Sequence, residues 1–234
     1  MNGFKISRLL VLPLVLLFTP VPARALPMQP EGLTPGQSYH WMFITRGTID
    51  SNSADIAVYN AFVDAEAALN PDLAGLSWRA IASTEAVDAR LNAPVNGPVY
   101  LLDGARFTDD FLDMWDGSNI PFNAIPEIDQ FGVVRAQDPF PWVWTGTDND
   151  GTAFGLGLGG QADNWAGRYT SVFPAWLIEI HIGDNTQLPL YALSNPLKAQ
   201  AVPSAPEPST LTLVGILLGG LALRGRAVAP GTVR

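Results

Sequence analysis

Two apolar runs, one near each end of the chain, confine what can fold in water to the residues between them. Residues 9–18 make a run of ten and residues 211–223 a run of thirteen, against the roughly 20 that a bilayer-spanning helix needs. The first run follows Lys5 and Arg8, contains Pro13, and closes on Pro20, Pro22, Ala23 and Ala25. A positive start, an apolar centre and small residues at a cleavage position make residues 1–25 a secretory signal peptide, with Ala23 and Ala25 flanking the cut. The prolines and the shortness argue against a permanent anchor at this end.

The second run is followed by Arg224, Arg226 and Arg234, the only charges after Glu207. By the positive-inside rule these arginines stay in the cytoplasm while the main part of the chain lies outside it. Thirteen helical residues rise only ~20 Å against a ~30 Å hydrocarbon core. Segment 210–227 therefore holds in a membrane only if Ser209 and Thr210 join the helix and Arg224 reaches back to the interface. That is marginal for a permanent anchor and adequate for a temporary stop, with residues 228–234 as a cytoplasmic tail.

Export would permit disulfides, but the chain has no cysteine. The 173 residues at 26–198 are enough to bury one core by packing alone. They carry 21 acidic and 7 basic residues, a net charge of −14 with His neutral. Such a surface repels phosphate backbones, which excludes nucleic acid as a partner, and suits solubility or contact with neutral or basic polymers.

The tail has a specific order: Pro206-Glu207-Pro208, Ser209 and Thr210, a short Leu/Gly-rich helix, then Arg224 and Arg226. It resembles the PEP-CTERM sorting signal of exported proteins in Gram-negative, exopolysaccharide-making bacteria. The resemblance implies that an exosortase in the inner membrane recognises and cuts this end, with Pro206, Glu207, Pro208, Arg224 and Arg226 as the recognition residues. The run after Arg226 is longer than is usual for the family. Upstream, residues 196–209 form a linker with Pro196, Pro203, Pro206 and Pro208, extended and open to a processing enzyme. Residues 26–38 are also rich in Pro and Gly and read as an N-terminal extension, so the domain is expected over 39–195.

Within it, "YHWMFIT" predicts a strand buried on both faces. Residues 53–70 place Ile56, Tyr59, Phe62, Val63 and Leu69 near helical spacing, with Ser53 or Asp55 as N-cap and Pro71 beyond the end. "LSWRAIAS" predicts a strand, residues 83–92 a second helix capped by Ser83 or Thr84 with Glu85 in its first turn, and "GPVYLLDG" another strand. "TDDFLDMW" reads as one or two helical turns with Phe111, Met114 and Trp115 inward. "PWVWTGTDNDG" reads as a strand entering an acidic turn. "AWLIEIHI" reads as an alternating strand with Trp176, Ile178, Ile180 and Ile182 on one face. The succession is α+β rather than a doubly wound parallel sheet.

The same order, with the phrases "FITRGTIDSNSADIAVYNAF", "LSWRAIAS", "GPVYLLDGARFTDDFLDMWDG", "VWTGTDNDGTA", "DNW" and "WLIEIHI", resembles the C-type-lectin-like fold, in particular its endostatin-like bacterial branch, over residues 39–182. The resemblance implies two helices against twisted antiparallel sheets with long loops. The domain departs from the family in lacking both its cysteines and the Glu-Pro-Asn type triplet of calcium-dependent sugar binders.

Asp148, Asn149 and Asp150, followed by Gly151, are either a ligand loop of hard oxygens suited to Ca²⁺ or an ordinary turn. Asp163, Asn164 and Trp165 are either a second ligand loop for a sugar face or a polar turn before a core Trp. Gly155 to Gly160 lacks the order and the Lys-Ser/Thr ending of a phosphate loop. Asp109, Asp110, Asp113 and Asp116 read as an exposed helix face. His40 and His181 are the only histidines, and neither lies in a nucleophile or metal motif; His181 with Glu179 could share a strand face. The leading expectation is a non-catalytic surface or matrix domain that binds exopolysaccharide after crossing the inner membrane. The alternatives are a structural or protein-interaction module without a small ligand and, third, a glycan hydrolase using two carboxylates.

Overall fold

The computed structural model of this protein describes residues 29–117, 122–135 and 139–201. The expected signal peptide, the Pro206-Glu207-Pro208 site and the tail with Arg224 and Arg226 lie outside them. Among the described residues no helix is long and apolar enough to cross a membrane.

The fold is mixed α and β, mostly sheet, with few and short helices. Strand β1 (Ser38–Ile44) runs through the middle of the main sheet, and β3 (Val99–Leu101) lies beside it in parallel. On its other side β8 (Tyr191–Ser194) is antiparallel and pairs in turn with β2 (Trp78–Ala80). Strand β4 (Arg106–Thr108) flanks β3, and β9 (Leu197–Lys198) pairs with the start of β1. A second sheet is antiparallel: β5 (Trp142–Trp144), β6 (Asp163–Arg168) and β7 (Ile180–Gly183). The expectation of antiparallel sheets is thus corrected for the β1–β3 pair, which the connection through the two helices between them delivers in parallel.

β1 lacks alternation because both of its faces are covered. Tyr39, Trp41 and Phe43 join the core on one face, with Tyr59, Val63 and Ala67 of helix α1 (Ile56–Ala68). Met42 and Ile44 join the core on the other, with Val99, Leu101, Phe107, Trp176 and Tyr191. Asp55 caps α1 by accepting the Ala57 N–H at 2.9 Å, and residues 71–73 form a 3₁₀ turn that begins at Pro71. The helix also covers the edge of the sheet. Asp64 accepts the Trp78 N–H at 2.8 Å and Asn60 the Ala80 N–H at 2.9 Å, so the outer donors of β2 are satisfied by α1.

The second helix is shorter than expected: α2 is Ala89–Asn92, with Asp88 at its N-cap position. Ser83 and Thr84 are fully buried. The Ser83 N–H donates to Thr145 O at 2.8 Å and Leu158 donates to Ser83 O at 2.9 Å. Pairing with other segments holds this backbone extended and overrides the local helical signal. Ser83 still serves α2 from a distance, because its Oγ accepts the Ala89 N–H at 2.8 Å. In α3 (Phe111–Trp115) Met114 and Trp115 point inward as expected, whereas Phe111 is 39% exposed.

The stretch read as one alternating strand divides in two. Pro174–Trp176 is a 3₁₀ turn that seats Trp176 against Phe107, Phe122, Trp115 and Tyr191. Only Ile180–Gly183 is strand, and Ile180 is 37% exposed. Pro174 fixes the turn, and packing of Trp176 and Leu177 in the core breaks the alternation.

Residues 29–37, expected as an extension, pack on the domain. Pro30 is buried, Gly36 donates to Ala199 O at 2.8 Å and Ala199 donates to Gln37 O at 2.9 Å. The Gln200 N–H donates to Gln29 Oε1 at 2.6 Å. The first and last described residues therefore leave the domain side by side.

Candidate functional site

Residues 148–151 form a self-contained turn. The Asp148 N–H donates to Thr152 O and the Gly151 N–H to Asp148 O, both at 2.9 Å. The Asp148 carboxylate accepts the Asn149 N–H at 2.7 Å. Asp150 Oδ1 accepts the Thr152 N–H at 2.9 Å and its hydroxyl at 2.6 Å. Burial alone would push the Asp150 carboxyl up, but the Thr152 hydrogen bonds and Arg90 outweigh it and hold the group below its ordinary value. Gly151 is left-handed (φ 79°), and a Cβ there would meet Trp115 and Arg90. The turn is built for its own backbone and for the wall behind it. Calcium needs six to eight oxygens, and among the described residues no three His, Asp or Glu side chains gather to hold a metal ion.

Asp163, Asn164 and Trp165 open β6; they are not a loop. The pleat sends Asn164 inward, where it is fully buried and its Nδ2 donates to Ser51 Oγ at 2.9 Å. Asp163 and Trp165 face the other way. His181 lies across from Trp165 with its ring centroid 5.5 Å away, edge-on. His181 Nδ1 is 3.8 Å from Asp163 Oδ2, and the half-exposed Phe154 ring is 6.2 Å from Trp165. The two segments read as ligand loops thus pack on different neighbours, Trp115 and Arg90 for one, His181 and Phe154 for the other.

The remaining chemistry-bearing residues have structural duties. Glu179 pairs with Arg168 rather than with His181. His40 is fully buried. Its Nδ1 lies 2.8 Å from Ser194 O, to which it donates, and Nε2 lies 3.0 Å from Asn96 Oδ1 and 3.2 Å from the Asn96 N. Burial pulls its pKa down, against the opposing pull of the Ser194 and Asn96 hydrogen bonds. Asp110 caps α3 through Leu112 and Asp113, and Asp109 pairs with Arg106 at 2.7 Å. The glycine-rich stretch is a seam. Gly159 donates to Ser51 O at 2.8 Å, has φ 73°, and leaves no room for a Cβ against the backbone of Ser53 and Ala54.

The site that sequence reading missed lies on the main sheet. Helix α1 packs on β2, whereas residues 29–31 approach Trp41 of β1 and Tyr100 of β3. Between them is an open cleft of about 410 Å³, within the roughly 300–1,000 Å³ range of small-ligand sites. It is lined by residues 29–31 and 102–104 and by Trp41 and Tyr100, both of which are buried, at 2% and 7% exposure. Tyr39, Trp41 and Tyr100 pack edge-on at 6.0–6.5 Å. Glu31 and Asp103, both exposed, are its two charged lining residues. Asp103 Oδ1 accepts the Ala105 N–H at 2.9 Å in the turn from β3 to β4, which fixes that carboxylate at the rim. No basic side chain is among the residues lining the cleft. The parallel pairing of β1 and β3 sets Tyr100 opposite Trp41, and no local pattern in the sequence carries that pairing.

No protein-family model matches this chain, and the comparison with curated proteins gave no match.

Proposed function

We propose that this protein is exported across the inner membrane of a Gram-negative bacterium, sorted by an exosortase through a PEP-CTERM type tail, and delivered to the cell surface or its exopolysaccharide matrix. Its domain, of C-type-lectin-like kind, binds extracellular polysaccharide and does no chemistry on it. The observation that carries the binding reading is the open cleft of about 410 Å³ that Glu31 and Asp103 line from the exposed surface. Polar acceptors at an open cleft suit the hydroxyl edges of sugars. The test passes the full chain, in detergent micelles, over immobilised exopolysaccharide of the producing bacterium. Retention that soluble oligosaccharide of the same polymer competes away supports the reading; clean flow-through overturns it.

A second reading, a structural or protein-interaction module, draws on the segment 122–135. It presents Ile125, Phe131, Val133 and Val134 to solvent, more apolar surface than so short a loop needs. Capture of a protein partner that is lost with Phe131→Ser and Val133→Ser, with no retention on polysaccharide, would favour it.

A further inference from the structure

We infer that the outer edge of β7 accepts an extended, basic segment of another protein as an added strand of the three-stranded sheet. The other strands at the ends of the two sheets are covered. Helix α1 satisfies the donors of β2. Phe107 O of β4 accepts the Asn123 N–H at 3.1 Å, and the Trp144 N–H of β5 donates to Pro189 O at 3.0 Å. β7 pairs with β6 on one side and, among the described residues, with nothing on the other. The pairing phase shows which groups are left over. Trp165 of β6 donates its N–H to Leu156 O at 3.1 Å and accepts the Gly146 N–H at 2.9 Å, both away from β7. Asn164 and Ala166 are therefore the residues of β6 that bond to Ile182 and Ile180. His181 and Gly183 direct their N–H groups outward, and His181 its carbonyl too, whereas Gly183 O already accepts the Thr186 N–H at 2.9 Å. Both residues are exposed. An unpaired row of this kind is a template for an added strand.

The side chains around that edge set the chemistry of the segment. Asp163 stands on the face of His181 and Gly183, its side chain 57% exposed, and its residue pairs with Gly183 across the ladder. A Cβ on Gly183 would meet only Asp163 Oδ1, at 3.8 Å. The glycine thus leaves a gap through which a long cationic side chain opposite it reaches the carboxylate, one strand spacing of ~4.8 Å further in. Glu179 and Asp184 flank the strand, and Arg168 is engaged with Glu179, so the edge is acidic. On the opposite face Ile180 is 37% exposed and gives the alternate residues an apolar neighbour. The segment that fits alternates Arg or Lys with β-branched apolar residues and runs antiparallel, as both pairs in this sheet do. A second copy of the domain fits less well, because its 21 acidic and 7 basic residues over 26–198 bring like charge to like.

The test is fluorescence anisotropy of a labelled octapeptide of alternating Arg and Val, titrated with the full chain in non-ionic detergent micelles. In the antiparallel register the Arg residues lie opposite His181 and Gly183 and turn their N–H groups to β7, while the Val N–H groups face water. Methylating the Arg backbone nitrogens should therefore weaken binding about tenfold or more, and methylating the Val nitrogens less than about threefold. Gly183→Val closes the gap and Asp163→Asn removes the charge, and each should weaken the unmethylated peptide about fivefold. Asp72→Asn, an exposed acid in the 3₁₀ turn after α1, should leave it unchanged. Asp163 is exposed and Gly183 is not left-handed and has room for a Cβ, so both variants keep the fold; an unchanged circular dichroism spectrum checks this. No binding of the Arg/Val octapeptide overturns the inference. Equal loss from the two methylations, or none from either, also overturns it, since charge and not strand pairing would then hold the peptide. So does an affinity that Gly183→Val and Asp163→Asn leave unchanged, or that Asp72→Asn lowers as much as they do. The polysaccharide reading rests on the cleft, a different surface, and stands or falls by its own test.

Discussion

Replacing Asn164 separates a ligand residue from a residue of the core. Its Nδ2 gives one good hydrogen bond, to Ser51 Oγ at 2.9 Å, while its buried Oδ1 has no partner among the described atoms. Asn164→Leu removes the bond, at a net cost of about 1 kcal/mol. It also removes an unsatisfied buried oxygen, which gives back about 1–3 kcal/mol. Ser51 keeps a partner, because its Oγ still donates to Asp184 O at 3.3 Å. The variant is therefore expected within about 1 kcal/mol of the parent. Asn164→Asp keeps the shape and adds a charge. Burying an unpaired carboxylate costs about 3 kcal/mol or more, or roughly 6–12 °C of Tm for a domain of this size. The introduced acid would have its folded pKa raised above its unfolded value, near 3.9. Its folded state then binds more protons, so the loss is full at pH 7 and shrinks as pH falls through the raised pKa toward 4. Thermal unfolding followed by near-ultraviolet circular dichroism at pH 7 and pH 5 reads both effects. An Asn164→Leu protein of normal stability that no longer binds polysaccharide would refute the core assignment, as would an Asn164→Asp protein of parental stability at pH 7.

Other perturbations follow from the same packing. Trp176→Ala removes a side chain packed against four aromatic rings and should cost about 3–5 kcal/mol in denaturant unfolding; a loss under 1 kcal/mol would mean that the ring does not hold the two sheets together. Gly159→Ala forces a Cβ into the backbone of Ser53 and Ala54 and should be far more damaging than Gly155→Ala, where φ is also positive (55°) but nothing lies within 4 Å; the second should cost only about 1–2 kcal/mol, and equal losses would contradict the seam. His40 is held neutral by burial, with its folded pKa below the unfolded value. Its contribution to stability is present above the unfolded pKa of about 6.5 and is lost as pH falls from there through the folded pKa. The urea midpoint should drop between pH 7.5 and pH 5.5 in the parent and drop less in His40→Gln; parallel slopes would refute the assignment.

The legible parts of the fold were those with strong local causes. The dense apolar run of β1, the Asp55 cap and Pro71 stop of α1, and the Asp103-Gly104 exit from β3 are decided by residues within a few positions of each other. Residues 83–92 misled because Ser, Thr and Glu signal a helix start equally well when tertiary pairing holds them extended. β8 was not read as a strand at all. Its four residues, Tyr191–Ser194, are too short to show a period, and the strand exists because β1 and β2 need a partner between them. The site was least legible. The Asp148 and Asp163 segments have a composition that serves turns and strand starts as well as ligands. The cleft, in contrast, is built from residues that read as core (Trp41, Tyr100) and as extension (residues 29–31).

The acidic residues explain the silence of the sequence about its site. A domain with many short elements leaves many backbone N–H groups outside the sheet ladders, and each must find an acceptor. Asp55 and Asp110 take them at helix starts, and Asp64 takes one at the edge of β2. Asp88 takes the Ala153 N–H, and Asp148 and Asp150 take those of their own turn. Asp129, almost fully buried, accepts from Phe131 and Val133 with one oxygen and from Arg46 with the other. Loop after loop is fastened by a carboxylate. Acids so employed look, in sequence, like acids waiting for a ligand. Glu31 and Asp103 differ from them in position alone, because both line one open cleft, and no local pattern brings residues 29–31 and 102–104 together there.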